Sequence, residues 1–428
     1  MTTSRRADRA PAVPGPTRRG RWKRAAAVAA VPLAIAALSL PTVPAGAAPS
    51  PAPTFTGLPR PAAAQAAARW LAGQMNAQGF IPTTPGGSTP DLSDTLQADL
   101  ALSAASADLA QARQGLGVLA ANLGTYVPVA GSDGPGQLAL LILTAESLGM
   151  DPRSFGGTDL VARLLATEQP SGPDTGLFGT SAQVADYAAG GYQQGLALAA
   201  LAAAGVRGTA QTAAATSWLV GEQCPDGGWT TPDNSVNACN GLPSAYAGPD
   251  TNATALAVEG LAAQGALRGT VAAGATTFLE NGQDADAGWS YYPNTAATPG
   301  STDPDSTALV LQALGALGLS PTSTVLARGS ATPATALATF QLASGSDAGA
   351  FFFPGAPSQG NLIATYQAVP ALADLPFPWG PAGGGYQEVG SAGGVFAFGD
   401  ATFHGSLGAT HLNAPVIGMA RGQARPVA

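Results

Sequence analysis

Between residues 48 and 403 the chain contains no lysine and no histidine: Lys23 precedes that span, and His404 and His411 follow it. Lysine Schiff-base chemistry and a lysine-bearing phosphate loop are therefore excluded. Ser-His-Asp and Cys-His nucleophilic catalysis fall with the histidines. Charge is scarce as well, at 10% of residues, against about 25% in an ordinary soluble protein. What charge there is leans one way. Eight of the 18 basic residues lie in the first 47, leaving ten basic against 25 acidic residues beyond them. A nucleic-acid or anionic-membrane partner needs a basic face, and this remainder offers none. Aromatic residues make up only 6%, which leaves few rings for an aromatic-walled cavity.

The N-terminus is rich where the rest is poor. Arg18-Arg19-Gly20-Arg21-Trp22-Lys23-Arg24 precedes an apolar run from Ala25 to Leu40, and Ala45-Gly46-Ala47 follows with small residues. That order predicts a secretory signal peptide over 1–47. The run is short of the roughly 20 residues of a membrane span, and Pro32 interrupts it. Thr17-Arg18-Arg19 also resembles a twin-arginine signal, although Arg21 stands where an apolar residue is usual, so both export routes stay open. The expected location is extracellular or at the cell surface. In such a compartment the two cysteines, Cys224 and Cys239, 15 residues apart in a Gly/Pro/Asn/Asp-rich loop, read as a disulfide contributing about 3 kcal/mol. A thiolate metal site would need further soft ligands, and no histidine is at hand.

The middle of the chain repeats itself every 50–60 residues or so. Asp250-Thr-Asn-Ala-Thr-Ala-Leu-Ala-Val-Glu-Gly-Leu matches Asp303-Pro-Asp-Ser-Thr-Ala-Leu-Val-Leu-Gln-Ala-Leu, and each continues to a glycine, Gly265 or Gly318. This is a cap, an apolar helix and a stop. Fainter copies begin near Asp94, Gln137, Gln193 and Asn361. Apolar on nearly all sides, these helices are expected to be buried. More amphipathic helices alternate with them over 61–76, 108–122, 158–169, 209–223, 269–283 and 332–343. Gln223-Cys-Pro-Asp-Gly-Gly-Trp229 fits Q-x-x-x-G-x-W, and Gln283…Trp289 fits it except for Ala287 in the glycine place. Gln169…Phe178 and Gln341…Phe351 are looser versions.

Paired inner and outer helices with this phrase resemble the α/α toroid shared by squalene–hopene cyclases, protein prenyltransferases and transcobalamin-type cobalamin carriers. The resemblance covers about 61–375 and implies an all-α ring of five to six helix pairs, plus a short C-terminal β segment. After it, 376–385 reads as a linker. Gly393–Ser406 then alternates at strand period, and with Leu412–Ala420 it resembles one unit of a β-repeat found in secreted actinobacterial proteins. The expected layout is therefore a signal peptide (1–47), a linker (48–60), the toroid (61–375), a linker (376–385) and a partial β-repeat (386–428) from a truncated version of a longer protein.

The sharpest chemical candidate is Asp303-Pro304-Asp305-Ser306-Thr307-Ala308, which resembles the D-x-D-D-T-A motif of class II terpene cyclases. The resemblance implies Asp305 as general acid, with Asp303 beside it. Ser306 replaces the second paired aspartate, and Tyr187, Tyr192 and Tyr366 are the few inner-helix aromatics. The competing reading makes Asp305 a helix N-cap, as Asp250 and Asp94 are in their repeats. A zinc prenyltransferase would hold its metal with Asp, Cys and His, and no metal site is expected here. A glycosidase needs two placed carboxylates. Of Glu146, Glu168, Glu222, Glu259 and Glu280, only Glu259 stands inside an apolar inner helix, where its carboxyl should be perturbed. Binding is what remains. Trp229, Thr230, Asp233, Asn234, Asn237, Asn240 and Tyr246 in one loop, and Trp289, Tyr291, Tyr292 and Asn294 in the next, present rings among hydrogen-bonding edges; both tryptophans also read as parts of the repeat phrase. The sequence thus points to a secreted, non-catalytic binding toroid for an unknown small molecule or glycan. No cofactor is identified, and a corrinoid ligand is implied only by resemblance. A degenerate class II cyclase, and a surface scaffold in contact with the cell envelope, are the alternatives.

Overall fold

The computed structural model describes residues 60–233, 235–241, 247–293 and 302–381, with the backbone of 386–389 and 395–398. The expected signal peptide, Asn234, Tyr246, Asn294 and most of the expected β-repeat lie outside those residues. Among them are fourteen α-helices: α1 (Arg60–Gln74), α2 (Leu92–Ala104), α3 (Leu109–Ala121), α4 (Leu123–Tyr126), α5 (Pro135–Ser147), α6 (Leu160–Leu165), α7 (Ser181–Ala185), α8 (Gly191–Ala203), α9 (Ala210–Gly221), α10 (Thr251–Ala263), α11 (Gly269–Asn281), α12 (Pro304–Ala316), α13 (Pro333–Ala338) and α14 (Leu362–Leu372). Two small antiparallel pairs accompany them, β1 (Pro128–Val129) with β2 (Ser132–Asp133), and β3 (Tyr386–Val389) with β4 (Val395–Phe398).

Helices α2, α5, α8, α10, α12 and α14 pack side by side in that order, and α14 returns to α2, closing a ring. Outer helices α3, α6, α9, α11 and α13 each lie on the inner helix before them in the chain, while α1 packs on α14 and α2. The protein is an α/α toroid of six helix pairs. The N-terminal helix joins the last repeat to the first: Arg60 is paired with Asp374 and donates to the Ala371 carbonyl, and Gln341 Nε2 donates to the Ala63 carbonyl at 2.9 Å.

Each end of the inner ring has its own chemistry. At the N-terminal ends, Asp91, Asp250, Asp303 and Asn361 cap α2, α10, α12 and α14 by accepting a backbone N–H three residues on. At the other end arginines take the last carbonyls: Arg113 that of Leu148, Arg153 that of Ala204, and Arg207 that of Ala263. Both placements complement the helix dipole. Four residues after each of those caps stands a threonine, Thr95, Thr254, Thr307 or Thr365. Its hydroxyl accepts the N–H of Ile81, Trp229, Trp289 or Phe351, hooking the incoming loop to the inner helix.

The repeat phrase staples one module to the next. Gln223 Nε2 donates to Gly227 of its own turn and to Val271 on the following outer helix, and Gln283 Nε2 donates to Ala287 of its own turn and to Leu326 in the short 3₁₀ turn that precedes α13. Trp229 and Trp289 donate their indole N–H to the Leu219 and Leu279 carbonyls at 2.7 Å, near the ends of α9 and α11. These carbonyls have no partner further along a helix that stops there. The Cys224–Cys239 disulfide is formed.

Leu375, the last residue read as toroid, and 376–381 of the stretch read as a linker lie across the C-terminal end of the ring. The Leu375 carbonyl accepts from Gln312 on α12, the Phe377 N–H donates to Glu259 Oε2 on α10 at 2.6 Å, and Trp379 Nε1 reaches Ser103 on α2. Phe377 and Trp379 stack with centroids 4.9 Å apart. Together they close that end.

Candidate ligand-binding site on the ring axis

With N1 as the first residue of each inner helix, helical periodicity turns N2, N6 and N9 toward the same side. The six helices present these positions to the ring axis in three layers. The first layer is Ser93, Gly136, Tyr192, Asn252, Asp305 and Ile363; the second is Gln97, Leu140, Leu196, Leu256, Leu309 and Gln367; the third is Leu100, Leu143, Ala199, Glu259, Gln312 and Pro370. Between the layers runs a cavity of about 30 Å³, with Tyr192 and Tyr366 at one end and Phe377 as its floor. That is room for about one water molecule. Gly195 and Gly260 keep it narrow: a Cβ on Gly195 would overlap the Leu256 carbonyl and one on Gly260 the Gly195 carbonyl, so α8 and α10 approach backbone to backbone.

Polar groups on this axis are unusually short of partners. Among the described residues Asn252 Oδ1, Asp305 Oδ1, Gln367 Oε1 and Glu259 Oε1 are buried with no hydrogen bond. All four are acceptor-type oxygens. Most buried polar atoms in proteins find a partner, and each that does not costs about 1–3 kcal/mol, so four on one axis call for an explanation.

Burial dominates the electrostatics. Glu259 is fully buried and its carboxyl is pushed up from 4.5 to about 8 by desolvation, which the Phe377 N–H only partly offsets. Asp305 is raised well above 3.8 by desolvation and then by the charge of Asp303. Around the same end, Asp94 rises to about 6, Asp303 to about 6 and Asp250 to about 7, each chiefly through desolvation. The perturbation expected at Glu259 is present, and it is shared by the capping end of the ring and by Asp99, buried between α2 and α3.

Three expectations are corrected. Asp305 is not a helix cap: Asp303 caps α12, accepting from Ser306 N at 2.7 Å and Ser306 Oγ at 3.0 Å, while Asp305 sits in the first turn. Asp94 is likewise inside α2, whose cap is Asp91. The cap position belongs to the residue whose carboxylate reaches back over the free N–H groups, and a D-x-D pair supplies two candidates for it. Trp229 and Trp289, offered as binding residues, are 0% exposed and consumed by the outer-helix ends, out of reach of a ligand. Tyr291 and Tyr292 are half-buried and pack edge to face at 4.8 Å. The Tyr291 hydroxyl lies 3.1 Å from Thr231 Oγ1, which donates to Asp250, and its carbonyl accepts the Thr251 N–H. These contacts set it over the start of α10. The residues missed from sequence are Asn252, Gln367 and Phe377. The layer register could have found the first two once one axial residue was known; Phe377 carries no signal, since only the closed ring gives it a hole to fill.

No protein-family model matches the chain, and no curated protein matches it. Among solved structures, a protein from Actinoplanes is 16% identical over 74% of this chain and 99% of its own, with a TM-score of 0.48. A single-residue variant of the type II terpene cyclase MstE from Scytonema, in complex with its substrate geranylgeranyl dihydroxybenzoate, is 15% identical over 74% of this chain and 97% of its own, with a TM-score of 0.48. A glycosidase is 17% identical over 74% and 98%, with a TM-score of 0.44. Each of those activities belongs to the neighbour concerned.

Proposed function

We propose that this is an exported binding protein that recognises a hydrogen-bond-donating group of a small polar ligand in the axial pocket, with the rest of the ligand held over the capped ends of the inner helices. The observation that carries this reading is the row of unpartnered acceptor oxygens along the ring axis: Gln367 lines the cavity, while Asn252, Asp305 and Glu259 stand in the axial layers outside its lining. A donor bound in the cavity would satisfy Gln367, with Asn252 and Asp305 left for the part of the ligand over the capped ends. The cavity's size supports the same view: about 30 Å³ is far below the roughly 300–1,000 Å³ that encloses a drug-sized ligand, let alone an isoprenoid or a corrinoid. The test is a thermal-shift screen of the full chain against polyols, glycosides and amines beside polyprenyl compounds. Saturable stabilisation by a small polar compound, lost in Gln367→Met, supports the proposal; stabilisation by polyprenyl compounds alone overturns it.

A second reading keeps acid catalysis. Asp305 has a desolvated carboxyl, held well above the ordinary carboxylate range by burial and the charge of Asp303, with a free oxygen, and protonation of an alkene calls for such an acid. A cyclised product from an isoprenoid substrate, absent with Asp305→Asn, would establish it.

A further inference from the structure

We infer that the group bound in the axial cavity is an uncharged primary hydroxyl, so that the ligand is a sugar or another polyol. This rests on the axial-pocket reading and names the chemistry of that site. The second axial layer rings the cavity completely, since all six of its residues line it. Four are leucines, on α5, α8, α10 and α12. The other two are Gln97 and Gln367, on α2 and α14, the pair of helices that meet where the ring closes. One side of the cavity is therefore amide and the other aliphatic. Tyr192 and Tyr366 line its end. Among the described residues, the side chains of Gln97, Gln367, Tyr192 and Tyr366 make no hydrogen bond within the protein, and Gln367 Oε1 is buried outright. Gln312, the remaining polar residue of the lining, is already engaged with the Leu375 carbonyl.

No residue of the lining carries a charge. An ion entering it would give up its water and meet no counter-charge, which a buried ion cannot do cheaply. Glu259, one layer deeper and outside the lining, is pushed up to about 8 by burial and so holds its proton at neutral pH. Amides and phenols each donate and accept. A hydroxyl answers both: it can donate to Gln367 Oε1 and accept from the Gln97 amide, and it is water-sized, as a cavity of about 30 Å³ demands. The carbon that bears it has the leucines to lie against. The approach is from the capped ends, where Ser93, Tyr192, Asn252 and Asp305 of the first layer are only half-buried, while Phe377 closes the other end. That first layer also explains why one hydroxyl is not the whole ligand. Asn252 Oδ1 and Asp305 Oδ1 have no partner there, and they stand four residues, about 6 Å along the axis, outward of the second layer. Further hydroxyls of the same molecule reach across that distance; a monohydric alcohol does not.

The experiment follows the side-chain amide resonances of Gln97 and Gln367 in the nitrogen-15-labelled full chain, assigned with Gln97→Met and Gln367→Met. Methanol, methylammonium chloride and sodium formate are titrated at constant ionic strength, one small group of each charge, and then sorbitol. Methanol is expected to shift both amides saturably, with an affinity at least about tenfold above those of methylammonium and formate. Sorbitol is expected to shift the same amides at least about tenfold more tightly than methanol, the worth of two further hydrogen bonds. In Gln367→Met both compounds are expected to weaken by about tenfold or more, and the wild-type series stands without the variant. Methylammonium or formate binding at these amides as tightly as methanol overturns the hydroxyl assignment while leaving the axial pocket as a site. Sorbitol binding no more tightly than methanol overturns the polyol class. No saturable shift with any of the four means that the cavity holds water only, and overturns both this inference and the axial-pocket reading.

Discussion

At the residue scale the unpartnered axial side chains cost stability. Glu259 shows the sign. Unfolded, its carboxyl loses its proton near 4.5; folded, it keeps the proton up to about 8. Folding between these values takes up a proton, so stability falls as pH rises through that window, by up to about 1.4 kcal/mol per unit, and the loss is complete above it. Urea denaturation at pH 5, 6, 7 and 8 should show a shallower decline for Glu259→Gln than for wild type; parallel curves would mean that Glu259 is solvated. Asp305 and Asp99 shift in the same direction, so a residual slope is expected in the variant. Gln367→Met carries a paired outcome. Removing an unsatisfied buried acceptor should raise stability by about 1 kcal/mol while ligand affinity falls, the pattern of a residue kept for binding. A loss of stability in the same urea titration would instead assign Gln367 to packing.

At the element scale the turn that ends each outer helix sets the spacing of the ring. Gly227 takes φ +94, and a Cβ there would overlap the Gly274 carbonyl on α11. Gly227→Ala is expected to cost about 2–4 kcal/mol through overpacking and left-handed strain. The sister turn already carries the wrong residue: Ala287 stands at φ +72. Ala287→Gly is therefore expected to be neutral or to stabilise by up to about 1 kcal/mol. Urea midpoints of the two variants, measured side by side, should move in opposite directions or leave Ala287→Gly unmoved. Much at this scale was legible. The alternation of apolar and amphipathic helices, the caps at Asp250 and Asp303 and the Gln–Trp phrase are local patterns, and locality is what a sequence displays. The cap and the first-turn acid of a D-x-D pair were confused because both are first-turn carboxylates until backbone geometry separates them.

At the scale of the whole molecule, ring closure makes the last repeat depend on the first helix. Gln341 ties its own turn at Gly349 to Ala63 on α1, both at 2.9 Å, and Trp70 on α1 donates to Asp347. Gln341→Ala should cost about 1–3 kcal/mol by leaving buried carbonyls unpaired. Hydrogen exchange should show protection lost in α1 and α14 together while α8 and α10 keep theirs. Uniform loss across all inner helices would instead describe a ring that opens as one unit.

The sequence by itself determined the helix pairs, their capped and glycine-stopped ends, the cysteine pair and the poverty in lysine and histidine that excludes so much chemistry. Each follows from propensity, periodicity or composition, which act within a few residues. Only the tertiary structure decided that α14 returns to α2, that positions N2, N6 and N9 of six helices share one axis, and that Phe377 fills its end. Those facts join residues as far apart as Glu259 and Phe377, 118 positions along the chain. They arise because closing the ring buries apolar faces that no single repeat can cover alone. The same closure strands Asp305 and Glu259 on a dry, narrow axis, each with an oxygen that no protein group answers.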